Sequence, residues 1–218
     1  MNLEIYLTRH GQTEFNVAGR MQGWCDSPLT IEGRAEAERL GGKLKNHRFD
    51  AAFSSTLPRA VQTAQLVLQG VGQLLPVTEL DDLREYHFGS FEAGVAAEAH
   101  RKVAQVLGFA DTESWLHTFR HVNSTLMMQG VRQIDPEGRA ETEEALLARL
   151  YRGLRHAVSQ SPAEGRILVV SHGMAIAALL KSMLPDAPAH LIPPNSSVSR
   201  LHFDGETFRA LSMGQTEF

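Results

Sequence analysis

Two short apolar runs in this chain each end in a histidine followed by glycine. Glu4-Ile5-Tyr6-Leu7 leads into Thr8-Arg9-His10-Gly11, and Ile167-Leu168-Val169-Val170 leads into Ser171-His172-Gly173. Apolar and β-branched runs bounded by polar residues and glycine read as buried strands of a parallel sheet. In open α/β sheets the ligand crevice lies beyond the carboxyl ends of the strands. Both histidines fall at such ends, so the pattern predicts that they face each other across one crevice. The glycine behind each lets the backbone turn sharply toward a helix and approach a ligand closely.

The remaining elements alternate. Thr30 reads as the N-cap of a helix carrying Ala35, Ala37, Leu40 and Leu44 and ending near Asn46-His47. Asp50 to Ser54 reads as a second strand, and Pro58 opens a helix through Val61, Ala64, Leu66 and Val67. A strand near Val77 to Leu80 follows. Glu92 to Met128 reads as two helical pieces broken around Gly108, and Gly130 to Gly138 as a loop. From Thr142, Leu146, Leu147, Leu150, Leu154 and Val158 take the spacing of an amphipathic helix. After the strand Arg166 to Ser171 comes a helix, Met174 to Met183. Val198 to Phe203 and Thr207 to Leu211, joined through Asp204-Gly205, read as a hairpin closing a sheet edge. Alternation of this kind predicts an α/β three-layer sandwich, with a mostly parallel central sheet and helices on both faces. The helical stretch at about 92–138 interrupts it and reads as an insertion over the active site within one domain, 1–218.

Composition narrows the functional classes. With 218 residues, 43% of them hydrophobic, the chain can bury a substantial core. A formal net charge of -4 offers no basic surface to track a polyanion, so nucleic acid is not expected as a partner. The only cysteine, Cys25, forms no intrachain disulfide and reads as a small packing residue beside Trp24. It fits a reducing compartment. Met1-Asn2-Leu3-Glu4 lacks a basic, apolar leader, and no run approaches bilayer-spanning length. These features predict a soluble, cytoplasmic protein without a membrane partner.

Chemistry concentrates at the strand ends. Arg9 sits beside His10, and Ser54-Ser55-Thr56-Leu57-Pro58-Arg59 places a second arginine where a strand passes into a helix. A helix N-terminus there adds backbone N–H donors and positive dipole character. Taken singly, an arginine at a helix start is usually a solvated residue, and a histidine behind a strand a satisfied polar group. Arg9, Arg59, His10 and His172 together surround one small volume, and a phosphoryl group matches both its charge and arginine's forked donors.

Leu7-Thr8-Arg9-His10-Gly11-Gln12-Thr13-Glu14-Phe15-Asn16 resembles the signature of the histidine phosphatase superfamily, the phosphoglycerate mutase-like group. So, in the family's order, do Gly19-Arg20-Met21-Gln22-Gly23, Asp26-Ser27-Pro28-Leu29-Thr30, Ser54-Ser55 with Arg59-Ala60 and Thr63, Leu83-Arg84-Glu85 with Phe88-Gly89, and Ser171-His172-Gly173. The resemblance implies that His10 is the nucleophile, that Arg9, Arg59 and His172 bind phosphoryl oxygens, and that Glu85 is the acid/base. It also implies that Asn16, Gln22 and Gly23 touch phosphate or substrate. No metal and no cofactor are implied, because side chains supply the cations. A homodimer is common in the family.

The bisphosphoglycerate-dependent mutases are typically longer and carry asparagine before Glu-Arg-Tyr-Gly, where this chain has Leu83-Arg84-Glu85-Tyr86. That favours a metal-independent phosphatase acting on a small phosphorylated metabolite. A 2,3-bisphosphoglycerate-dependent mutase and a non-catalytic phospho-ligand binding protein are the alternatives. The family's phosphatases commonly read aromatic-Glu-Gly, but here Phe91-Glu92 is followed by Ala93, with Gly94 one place late. Glu141-Thr142 with Arg149 echoes a further family pattern, with Ala140 in place of its glycine. Selection of the leaving group is expected from the insertion, with Tyr86, His87, Trp115, Phe119, Arg101, Arg120 and Arg132 as candidates. Met127-Met128 permits an apolar leaving group. His100, His117 and His121 lack the spacing of a metal site.

Overall fold

The computed structural model describes residues 1–184 and 192–218. Six strands form one sheet in the order β3-β2-β4-β1-β5-β6. They are β1 (Asn2–Arg9), β2 (Ala51–Ser54), β3 (Val77–Glu79), β4 (Glu164–Ser171), β5 (Val198–Phe203) and β6 (Phe208–Gln215). Strands β1 to β4 run parallel, while β5 pairs antiparallel with β1 and β6 antiparallel with β5. The sheet is therefore mostly parallel, with the expected hairpin at one edge.

Side-chain alternation sorts the core into two layers. Leu3, Ile5, Leu7, Phe53, Ile167 and Val169 face one way, onto α7 (Glu143–Ser159) and α8 (Gly173–Met183). Tyr6, Ala52, Leu168 and Val170 face the other, onto α2 (Ile31–Lys43) and α3 (Pro58–Val71). A short α1 (Glu14–Val17), capped reciprocally by Thr13 and Asn16, precedes α2. Thr30 caps α2 through Gly33 N–H, and Pro58 opens α3.

The stretch at 92–138 differs from expectation. It holds three helices, α4 (Ala96–Val106), α5 (Thr112–His121) and α6 (Leu126–Ile134). Gly108 breaks the first two in a left-handed conformation, at φ 76°. The expected loop from Gly130 is helical through Ile134, because Gly130 is buried against Val103 of α4, where a Cβ would overlap that side chain. Tertiary packing here outweighs glycine's poor helix propensity.

Candidate active site

The β1–β4 register pairs Arg9 with Ser171, so the next residues, His10 and His172, leave neighbouring strands side by side. Their ring centroids are 5.2 Å apart. Strand β2 flanks β4 on its other side and delivers Ser55, whose N–H donates to Val170 O at 2.9 Å. Gly11 makes the turn possible: a Cβ there would stand 2.5 Å from the Gly33 carbonyl oxygen of α2.

Hydrogen bonds fix both imidazoles. His10 Nδ1–H donates to its neighbour's carbonyl, Gly11 O, at 2.8 Å, so the Nε2 lone pair stays free. Burial, then the charges of Arg59 and Arg9, hold His10 well below the usual histidine pKa, and the ring is neutral at pH 7. Ser55 Oγ lies 2.6 Å from His172 Nε2 and accepts Leu57 N–H at 3.3 Å. With the hydroxyl as donor to Nε2, neutral His172 carries its proton on Nδ1. Burial and Arg59 depress the His172 pKa in the same way.

Arg9 Nη1 donates to Pro193 O at 2.8 Å, and its guanidinium lies across Gly173 at the start of α8. Burial lowers its pKa to about 10, which keeps it charged at neutral pH. Arg59 is fully buried; Nη1 donates to Asp26 Oδ1 at 2.7 Å and Cys25 O at 2.9 Å, and Nη2 to Gly23 O at 2.7 Å. Arg9 Nε, Arg59 Nε and His172 Nδ1 are buried without a hydrogen-bond partner among the described residues. Buried donors are normally satisfied, so three of them grouped around two cations describe an anion site.

Glu85 occupies a different environment. Its Oε1 accepts the N–H groups of Tyr86 and Ala175 at 2.8 Å each, and its Oε2 accepts Met174 N–H at 2.9 Å. The carboxyl group thus caps α8. Burial raises its pKa, outweighing those three N–H groups and Arg59. Arg149 fixes the Glu85 backbone: Nη2 donates to Glu85 O at 2.7 Å, while Nε and Nη2 grip Glu141 in a two-point ion pair. The Glu141–Arg149 spacing seen in the sequence therefore serves this segment.

Arg9, His10, Asn16, Gln22 and Glu85 line a cavity of about 160 Å³. Gln22 is held by Thr13 and Ser27, and Asn16 Oδ1 by Thr13 N–H and Asn195. Gly23, Arg59 and His172 are not among the cavity residues: His172 lies behind the wall beside His10, and the Gly23 carbonyl restrains Arg59. Of the expected leaving-group residues, only Phe119 reaches the wall. Tyr86 and Trp115 are core residues, Arg101 and Arg120 are exposed, and Arg132 donates to Gly138 O and Ala140 O. His87 receives Gly89 N–H. The wall is completed by Met21, Phe88, Met127 and Ile192, with Arg20 and His100. No local periodicity marks these residues, because the wall forms where α4, α5 and α6 converge on the 20s loop.

Glu92 also had no obvious role in the sequence. It accepts the N–H groups of Gly23, Trp24, Cys25 and Phe88 and so shapes the loop that grips Arg59. Next to it Ala93 takes φ 60°, the left-handed conformation that glycine would adopt freely. Cys25 is partly buried with its thiol pKa raised to about 11, consistent with a packing residue.

The sequence profile of the histidine phosphatase superfamily (branch 1) matches residues 5–216. The chain belongs to this superfamily. A probable phosphoglycerate mutase GpmB of Yersinia pestis is 35% identical over 205 residues, covering 92% of this chain and 85% of the relative. The crystal structure of a phosphoglycerate mutase from Bacillus anthracis str. Sterne aligns with TM-score 0.91 at 30% identity, covering 99% of this chain and 94% of that one. The Bacillus stearothermophilus protein YhfR aligns with TM-score 0.74 at 31% identity, over 98% and 97% of the two chains. Histidine phosphatases thus include both mutase and phosphatase neighbours of this chain: a mycobacterial glucosyl-3-phosphoglycerate phosphatase aligns at 25% identity and TM-score 0.69, over 97% of each chain. Among the described residues no group of three or more His, Cys, Asp or Glu is arranged to hold a metal, and no helix is long and apolar enough to cross a membrane.

Proposed function

We propose that this histidine phosphatase superfamily member is a metal-independent phosphatase that hydrolyses phosphomonoesters of small metabolites through a phosphohistidine on His10. The observation that carries the reading is the His10 tautomer. Its Nδ1–H is committed to Gly11 O, so a neutral imidazole offers its Nε2 lone pair beside two arginines.

Nε2 attacks phosphorus in line as the bond to the leaving oxygen breaks. Arg9, Arg59 and His172 Nδ1–H take the charge that spreads over the equatorial oxygens. Glu85, whose raised pKa favours the acid form, gives its proton to the departing alkoxide. Water then attacks the phosphoenzyme and gives a proton to Glu85. The P–N bond breaks, phosphate leaves, and His10 regains its lone pair.

A bisphosphoglycerate-dependent mutase is the second reading, supported by the high structural similarity to a phosphoglycerate mutase. The apolar wall of Met21, Phe88, Phe119, Met127 and Ile192 argues for the phosphatase, since a phosphoglycerate carboxylate needs cations and, among the described residues, Arg20 is the one arginine or lysine on that wall. Phosphate release should survive a chelator, and acid-labile, base-stable label should appear on quenched wild type and be missing from His10→Ala. Interconversion of 2- and 3-phosphoglycerate stimulated by bisphosphoglycerate, without free phosphate, would establish the mutase instead.

A further inference from the structure

His100 of α4 faces the leaving-group side of the cavity, where Trp115 of α5 controls its hydrogen bonding. The Trp115 Nε1–H donates to His100 Nδ1 at 2.9 Å. Indole nitrogen can only donate, so Nδ1 must be the acceptor and the imidazole proton must sit on Nε2. Trp115 is fully buried, and Phe119 holds the other side of the ring edge-on at a centroid distance of 4.7 Å. Nδ1 is thereby occupied, and no protein group among the described residues takes the Nε2–H.

We infer that His100 is a specificity-determining residue: its Nε2–H donates to an uncharged oxygen or nitrogen acceptor on the leaving alcohol, while Phe119 and Met127 pack against an apolar body. The inference rests on the phosphatase reading and adds the substrate class, an apolar or aromatic alcohol carrying one neutral acceptor. Burial, helped by Arg120, lowers the His100 pKa to about 4, so the ring stays neutral near pH 7 and gives no charge to attract an anionic leaving group. Trp115 is a positioning residue here, since it acts through His100.

The probes are 3- and 4-acetylphenyl phosphate, which carry a carbonyl acceptor, against 3- and 4-ethylphenyl phosphate, which do not. Comparing each ester between wild type and variant cancels differences in leaving-group pKa. In His100→Phe, kcat/KM for at least one acetyl ester should fall about 5- to 10-fold while the ethyl esters change less than about 2-fold, the scale of one neutral hydrogen bond. His100→Gln, which restores an amide N–H, should recover part of the loss. Imidazole ¹⁵N shifts of the wild type should report the Nε2–H tautomer, and Trp115→Phe should mix the two tautomers. Equal losses on both ester series, or an Nδ1–H tautomer in wild type, would overturn the inference. Binding of free hydroxyacetophenones and ethylphenols separates the two readings: weakened binding of the hydroxyacetophenones alone in His100→Phe, in a protein that releases no phosphate, would keep the subsite and reject the phosphatase.

Discussion

Ser55 Oγ lies 2.6 Å from His172 Nε2, and with the hydroxyl as donor this contact leaves the His172 proton on Nδ1, where it is available to an anion. Ser55→Ala frees the ring to adopt either tautomer. Turnover should fall about tenfold, the equivalent of about 1.4 kcal/mol in the transition state, with a smaller change in KM. Steady-state kinetics checks this, and an unchanged kcat would mean that the serine only fills space.

Gly173 allows the Arg9 guanidinium to cross the start of α8. A Cβ there would stand 3.2 Å from Arg9 Cζ and 2.7 Å from Ile192 Cγ2. Gly173→Ala should displace Arg9 and weaken competitive inhibition by inorganic phosphate about tenfold, on the scale of about 1–3 kcal/mol for overpacking. Inhibition constants at fixed pH test this directly.

Glu85 is expected to matter in proportion to the basicity of the leaving group. In Glu85→Gln, kcat/KM for an alkyl phosphate should fall at least about 100-fold and kcat/KM for 4-nitrophenyl phosphate much less, because a good leaving group needs no proton. Labelled phosphoenzyme should accumulate as the water step slows. Equal losses in kcat/KM on both substrates, without accumulated phosphoenzyme, would assign Glu85 to capping α8 alone.

Ala93 carries its left-handed φ of 60° with a Cβ that opposes it. Ala93→Gly should raise stability by about 1 kcal/mol by relieving the left-handed strain. Urea denaturation gives the sign. A loss would show that glycine's added freedom in the unfolded chain outweighs the strain.

The pH dependence of stability follows from the buried histidines. His10 and His172 have pKa values held below 6.5 in the folded protein, so below that pH the unfolded chain takes up protons that the fold refuses. Their contribution is fully present above about pH 6.5 and is lost as pH falls, each histidine adding up to about 1.4 kcal/mol per pH unit. Glu85 acts in the opposite sense, since its raised pKa favours the fold on the acid side. Urea titrations between about pH 5 and 7 should show a His172→Gln variant with a slope about one proton shallower than wild type.

The strand ends, the alternation of elements and the ordered motif blocks were all legible in the sequence, because apolar periodicity and turn residues are local properties of the chain. The motif blocks also pointed to Arg9, His10 and Glu85, which line the cavity, and to His172, which stands beside His10. The Gly130 segment misled because its packing partner, Val103, lies on another helix. Gly23 and Glu92 could not be read for the same reason: one restrains Arg59 and the other orders the loop, both through residues distant in sequence.

What only the tertiary structure decided is protonation and direction. Inserting β4 between β1 and β2 sets the two imidazoles side by side and brings Ser55 to one of them. It also determines where α8 begins, and hence that its N–H groups bind the Glu85 carboxyl. A side chain's proton is placed by burial and by the partners that long-range pairing delivers, and neither is written in its immediate neighbours.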